Sequence, residues 1–444
     1  MIGMKFKFKF GDFFLMLGTL LVFGLSIVLW IFVMTNDQYF SHINQTSNVT
    51  QQARNRLNNS VYDLYIPTSS YGFKNGQLYR LYDAKKNLPL EFTKELKGIK
   101  FKNLNVASTS RSEYEHMLNN PDYIQLTFPD EVSIKLFTKQ GSSASGQKFR
   151  RVFISNSNNR IYLGNDQTMT VYQIDLARAN FAKLRNYASH ARSKTPIKLV
   201  RLKNDYEVFY TKGESWRIYS YLTNSQTDSY FVSRLLGTTN VTARSSKKGW
   251  VTYSLNYYTK LRIPKSGAKK HDFLYTKYEK NKNLAMHEQL LDSVDYVHKV
   301  GLSEQDLRFF DTNGMAISYT NYIEGLPVFT EQHTPQIKTT FTPESMQVAF
   351  NNIDLQIPIP FDGQTRNLPA TDTVLQELVN KGLKKDQIQR IIVGFRMVKD
   401  NSHDHLANLI PTYYVKAYNR WQSLDEWQKQ DLSVLNKTNK EGAQ

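Results

Sequence analysis

The sequence predicts an α+β protein: one N-terminal transmembrane helix followed by an extracytoplasmic multi-domain body of antiparallel sheets with packed helices. Three observations predict it. A long uncharged run lies near the N-terminus, apolar residues alternate with period two in the next part of the chain, and three cycles of helix, glycine and strand follow.

From Phe13 to Met34 the chain reads FFLMLGTLLVFGLSIVLWIFVM, about 22 residues without a charge, where about 20 suffice to cross the hydrocarbon core as a helix. A cleavable signal peptide has a shorter apolar region ending in small residues. Here Trp30, Ile31, Phe32 and Met34 are bulky, so the segment is expected to remain as an anchor. Lys5, Lys7 and Lys9 precede it and Asp37 is the first charge after it, which places the N-terminus in the cytoplasm and the body outside. Trp30 marks the outer interface. Gly18, Gly24 and Ser26 are the small residues against which a second helix can pack, without the Gly-x-x-x-Gly spacing. The expected location is therefore the cell membrane, single-pass, with residues 1–36 as N-terminus and anchor and polar residues 37–60 as a stalk.

The 444 residues carry 57 Lys+Arg against 39 Asp+Glu, a net charge of +18, and no cysteine. Thiol catalysis and disulfides are excluded, and an extracytoplasmic protein of this size without disulfides fits a Gram-positive cell. A basic surplus attracts polyanions, but the expected topology sets nucleic acid aside. Arg244, Lys247 and Lys248, then Lys265, Lys269 and Lys270, lie beside glycine and serine and read as solvated loops drawn generally to an anionic envelope.

The body is expected as three domains, 61–195, 196–305 and 306–428, before a flexible tail 429–444. In the first, Ile124, Leu126 and Phe128 alternate, and Val132, Ile134 and Leu136 repeat the pattern after Pro129-Asp130, which predicts a hairpin turning there. Val152–Ile154 meets Ile161–Leu163 across Asn158-Asn159. A helix is predicted from an N-cap at Asp175 through Phe181, Leu184 and Ala188, with a boundary at Ser193–Pro196. Beyond it the cycles run from Asp228 as N-cap to Gly237, from Leu284 to Gly301, and from Thr371 to Gly382. Strands are predicted at 390–399 and 408–421. The cycles share pattern and not letters, and point to last two domains similar to each other.

No constellation predicts chemistry. Gly141 and Gly146 have phosphate-loop spacing, but Gln147-Lys148 follows where Lys and Ser/Thr are required. His287-Glu288 lacks the second histidine one turn on that zinc would need. His403, Asp404 and His405 share a loop with no further ligands indicated, and read as a solvated hairpin tip. No catalytic, cofactor-binding or metal-binding residue is expected, and the chain is not expected to be an enzyme.

Four segments, in order, resemble a known family: VYDLYIP at 61–67, SYFVSRLLGTTNVT at 229–242, NYIEGLPVF at 321–329 and PTYYVKAYNRWQSLDEW at 411–427. With the short lysine-bearing N-terminus and single anchor, the whole chain is similar to the YycH (WalH) family, membrane-anchored regulators of the WalK/WalR two-component system of low-GC Gram-positive bacteria. The resemblance implies an N-terminal domain followed by two similar α+β domains. It also implies partners: a WalK-like sensor histidine kinase and a YycI-like protein, met partly through transmembrane helices, with an effect on cell-wall metabolism. No catalytic motif comes with it. Homo-oligomerisation stays open, and the alternative is an extracytoplasmic wall-binding scaffold or envelope enzyme.

Overall fold

Alternating apolar residues build a nine-stranded antiparallel sheet in the first part of the body, in the order Lys100–Ser108, Thr170–Ala177, Arg160–Asn165, Lys148–Ile154, Ile124–Ser133, Ser69–Lys74, Gln77–Tyr82, Ser193–Arg201 and Tyr206–Tyr210. The computed structural model describes residues 18–28 and 61–432, apart from 84, 99, 138–145, 156–158, 178, 268, 281–284, 303–306, 361–362, 401 and 404. The chain divides into two units, residues 1–56 and 57–444. In the first, residues 18–28 are helical, with Leu20, Leu21, Val22, Phe23, Leu25, Ile27 and Val28 exposed. Among the described residues no helix is long and apolar enough to cross a membrane. Half of the Phe13–Met34 run, with Lys5, Lys7, Lys9, Trp30 and the stalk 37–60, lies outside them, as does the tail from 433.

A fourteen-stranded sheet occupies the second part of the body. One wing runs Thr242–Ser245, Trp250–Ser254, Thr259–Pro264, Asp272–Tyr278, Ser345–Asn351, Ile337–Phe341 and Ala316–Ile323, with Leu307–Asn313 also on the last. The other runs Leu326–Phe329, Ile388–Lys399, Leu406–Ala417, Tyr219–Ser225 and Ile353–Ile359, with Arg420–Ser423 on Leu406–Ala417. The turn Glu324-Gly325, φ 53° and 74°, joins the wings. Pairing of Leu326–Phe329 with Ile388–Lys399, through Val328 with Phe395 and Phe329 with Arg396, is the one parallel pairing between the described strands. Asp272–Tyr278 pairs with Ser345–Asn351, and Tyr219–Ser225 with Leu406–Ala417, so this sheet runs across position 305/306.

The helices follow their caps. Asp228–Leu236 starts at Thr227, whose hydroxyl accepts from Tyr230 N, and stops at Gly237, φ 74°. Met286–Val300 stops at Gly301, φ 65°. Arg234 donates to the carbonyls of His298 and Lys299 at 2.9 and 3.1 Å, a cation set on the negative end of that helix. Thr371–Asn380 ends two residues before Gly382.

Two large hydrophobic cores result, beside two small clusters around Tyr114 and Phe329. One large core packs Val152 and Ile174 of the first sheet and Phe92 of the helix Leu88–Gly98 in the same cluster as Phe231, Val294 and Val348; the other joins Tyr71, Ile197 and Phe209 to Val374, Phe395 and Tyr413. Tyr65 ties the chain start into the first: its hydroxyl donates to Leu290 O at 2.9 Å and meets the Tyr319 hydroxyl at 2.7 Å.

Three local expectations are corrected, and one stretch read as a boundary is placed in a strand. No turn occurs at Pro129-Asp130: Ile124–Ser133 is one strand, with a register shift between Thr127 and Val132. The irregularity accommodates a proline, which has no N–H for the ladder, and Asp130 is held elsewhere in the fold. Asp175 does not cap a helix; it lies in Thr170–Ala177 opposite Arg160, 3.0 Å from its Nε, and the helix begins at Ala182. Asp228 is the first helical residue rather than the cap. The Ser193–Pro196 stretch is itself strand.

Candidate functional site

Where the first sheet meets the second, the apolar alternation is broken by charged side chains that are buried. Arg150 and Arg151 come from Lys148–Ile154, Asp166 from the turn after Arg160–Asn165, Glu207 from Tyr206–Tyr210 and Asp205 just before it. From the second sheet come Asp311 on Leu307–Asn313, Arg390 on Ile388–Lys399 and Lys416 on Leu406–Ala417. All eight are buried. An unpaired buried charge is costly, so each must find a partner.

They do so in a chain. Arg151 grips Asp166 through Nε at 2.7 Å and Nη2 at 3.0 Å, and the Tyr114 hydroxyl donates to the same carboxylate at 2.5 Å. Arg150 donates to Glu207 at 2.7 Å and lies 3.4 Å from Asp166 and 3.6 Å from Asp205. Glu207 accepts in turn from Arg390 Nε at 3.0 Å, which carries the network into the second sheet. Arg390 and Lys416 are register partners on adjacent strands, a like-charge placement that destabilises a sheet. Asp311 relieves it, 2.7 and 2.9 Å from Lys416 Nζ and 3.8 Å from Arg390. A second crossing is made by Asp130, whose carboxylate accepts from Thr312 N at 2.7 Å and Thr312 Oγ1 at 2.8 Å. That contact is the reason Asp130 does not turn outward.

The electrostatics divide these acids. Against the penalty of burial, Arg151 and Arg150 hold Asp166 below its ordinary value, and Arg390 and Lys416 do so for Asp130. Burial pushes Asp311 up, Asp205 up to about 6 and Glu131 up to about 7. The neighbouring cavity of about 70 Å³ is lined by Arg80, Arg150, Glu207 and Arg390 among others. The guanidinium of Arg80 donates to Glu324 O and lies 5.8 Å from the Trp216 ring, tying the first sheet to the inter-wing turn. Arg80, Arg150 and Arg151 are spent on acids and carbonyls, and Arg390 Nη1, without a hydrogen bond among the described residues, rests 3.8 Å from Asp311; the arrangement orients one sheet on the other.

The residues singled out from sequence lie elsewhere. Gly18, Gly24 and Ser26 are on the 18–28 helix, where a Cβ at either glycine would meet nothing within 4 Å. Glu288 accepts from Ala285 N at 2.9 Å and so serves its helix N-terminus. His403 lies 3.5 Å from Asp400, exposed, while Asp404 and Gly141 fall outside the described residues. Among the described residues no group of three His, Asp or Glu is placed to hold a metal. Sequence reasoning missed the buried charges. Their signal was charge inside strand-like apolar runs, at Arg390 before Ile391-Ile392 and at Lys416 after Tyr414-Val415.

Fold and network define an α+β body whose interior charges fix one of its two large sheets on the other. Family models described as YycH protein, N-terminal domain and YycH protein, C-terminal domain match residues 14–193 and 211–431. The chain belongs to the YycH family and has the regulatory accessory role of that family in the WalK/WalR two-component system. No curated protein sequence matches it. Among solved structures, YycH from Bacillus subtilis is 14% identical over 82% of this chain and 96% of its own, at a TM-score of 0.67, and so shares the fold. An uncharacterized protein from Eubacterium rectale covers 52% of this chain and 86% of its own at 10% identity and a TM-score of 0.29, too low to support an argument.

Proposed function

We propose that this protein is a membrane-anchored, non-catalytic regulator that binds a WalK-like sensor histidine kinase together with a YycI-like partner and adjusts signalling for cell-wall metabolism. The observation that carries the reading is the family match over both parts of the chain. The uncharged run Phe13–Met34 supports the anchor, with the N-terminus cytoplasmic and the body extracytoplasmic, and the helical, apolar residues 18–28 agree with it. A helix that packs better against one signalling state of the kinase shifts that equilibrium by the difference in packing, and about 1.4 kcal/mol is tenfold.

The test is a crosslinked pull-down of the full-length protein from its host membrane, read by mass spectrometry, beside a version with its anchor replaced. Recovery of a sensor kinase and a YycI-like protein, lost with the foreign anchor, supports the reading and its contact in the membrane. Recovery of neither refutes it.

One observation favours a second reading, a wall-binding scaffold. The two basic loops converge: Lys265 N donates to Gly249 O at 2.8 Å and Lys265 Nζ to Ser245 Oγ at 3.1 Å, which brings Lys247 and Lys248 beside Lys265. Salt-sensitive sedimentation of the protein with isolated wall material would support this, and salt-independent or absent sedimentation would remove it.

A further inference from the structure

Ser69–Lys74 and Ile124–Ser133 are neighbours in the first sheet, yet their pairing covers only Ser69 to Tyr71 against Thr127 to Gln125. Beyond Tyr71 and Gln125 the ladder stops, although Ser69–Lys74 continues and stays paired to Gln77–Tyr82 on its other side. The chain before Ile124 turns away instead, with Tyr123 N donating to Asn120 O at 3.3 Å. A cleft of about 370 Å³ opens between the separating strands. Gly72 keeps one wall low: a Cβ there would stand 3.1 Å from Leu81 Cδ1.

The lining is chemically one-sided. Lys74, Arg185 and Lys194 face one acid, Asp122, and the aromatic rings of Tyr79 and Tyr123 complete it. Lys74 makes no ion pair among the described residues, and Lys194 Nζ donates to Ser189 O at 2.8 Å with two donors remaining. Cations recognise a carboxylate or phosphate, tyrosine rings offer a flat apolar face with a polar edge, and the interrupted ladder leaves backbone groups for hydroxyls. An inserted peptide strand is a poorer fit. The ladder is closed at Tyr71, three residues from the strand end, while an added strand needs about 4.8 Å on each side.

We propose that the cleft between Gly72–Lys74 and Pro121–Ile124 binds a small anionic sugar, one ring carrying a carboxylate or a phosphate. The ligand would be held by Lys74 and Lys194 with its ring against Tyr79, which shares their face of the sheet. This deepens the regulatory reading by naming what the body senses, but it does not require the kinase contact.

The experiment is calorimetric titration of the full-length protein in detergent with glucose, glucuronate and glucose 6-phosphate at matched ionic strength. Binding of glucuronate or glucose 6-phosphate, with glucose at least tenfold weaker, supports the proposal, and the two anions separate carboxylate from phosphate. Lys74→Gln with Lys194→Gln should weaken the anion at least tenfold. Should the double variant fail to fold, Lys74→Gln alone, at an exposed strand end, carries the test. Equal binding of glucose, unchanged affinity in the folded variant, or no heat with any of the three overturns the site. The pull-down reads the partner contact separately, so each failure is assigned to its own reading.

Discussion

Glu207 and Arg390 stand 183 positions apart and meet at 3.0 Å, the point where the charge network passes from one sheet to the other. Glu207 serves two arginines, since Arg150 donates to it at 2.7 Å. Removing the carboxylate leaves both cations buried without it. Breaking such a pair costs about 3–5 kcal/mol, so Glu207→Gln should lower the unfolding midpoint in urea markedly. Glu207→Leu with Arg390→Met should recover part of the loss, because Arg390 is then no longer buried without its carboxylate, while Arg150 keeps only Asp166 and Asp205. Additive losses in the double variant would show that the two side chains are not coupled.

The raised acids predict a pH dependence. Asp205 and Glu131 have folded values of about 6 and about 7 against ordinary values of 3.8 and 4.5, so the folded state binds the extra protons. Their contribution is complete below the ordinary values and is lost as pH rises through the folded ones. Stability should fall by about 1–3 kcal/mol between about pH 5 and pH 7. Asp130 and Asp166, held low, act with the opposite sign and lose their contribution only as pH falls below the ordinary carboxylate range. Glu131→Gln should flatten the upper part of the loss in a series of thermal melts, and an unaltered slope would clear Glu131 of it.

Gly325 turns at φ 74°, and a Cβ there would stand 2.5 Å from Thr68 O, a backbone atom that cannot swing aside. Left-handed backbone costs a residue with a side chain about 1–2 kcal/mol before the clash is added. Gly325→Ala should therefore destabilise the body by at least that amount. The comparison is Gly76→Ala, at φ 76° with nothing within 4 Å of its Cβ, which carries the strain without the clash. Equal melting temperatures for the two variants would show that the turn does not press on Thr68.

On the 18–28 helix, Gly18→Leu with Gly24→Leu fills the small positions without meeting a neighbour within 4 Å at either Cβ. A membrane two-hybrid signal with the kinase should fall several-fold, in keeping with the 1–3 kcal/mol typical of coupling between sites, while the body's melting is unchanged. An undiminished signal would take this face of the helix out of the contact.

Local chemistry was legible where it decides structure alone. The helix stops at Gly237 and Gly301 and the pairing of Val152–Ile154 with Ile161–Leu163 were readable because each depends on residues close in sequence. The Pro129-Asp130 reading failed because a proline-aspartate pair has a second use: a bulge that presents a carboxylate to Thr312, 182 residues on. Asp175 failed in the same way, its side chain serving Arg160 on the next strand. The charge network was illegible for a related reason. Composition shows that Arg150, Arg390 and Lys416 are charged, but their burial depends on which sheet covers them.

Tyr65 is among the first residues of the body to be synthesised, and its hydroxyl partners are 225 and 254 positions later. At translation rates of about 5–20 residues per second, that gap lasts roughly 10–50 s. The core that the first sheet shares with Phe231, Val294 and Val348 is completed only as these are made in turn, and Glu207 waits 183 positions for Arg390. A chain stopped shortly before Ile388 would lack both long strands of the second sheet, leave Glu207 without Arg390 and expose the apolar side chains that those strands cover.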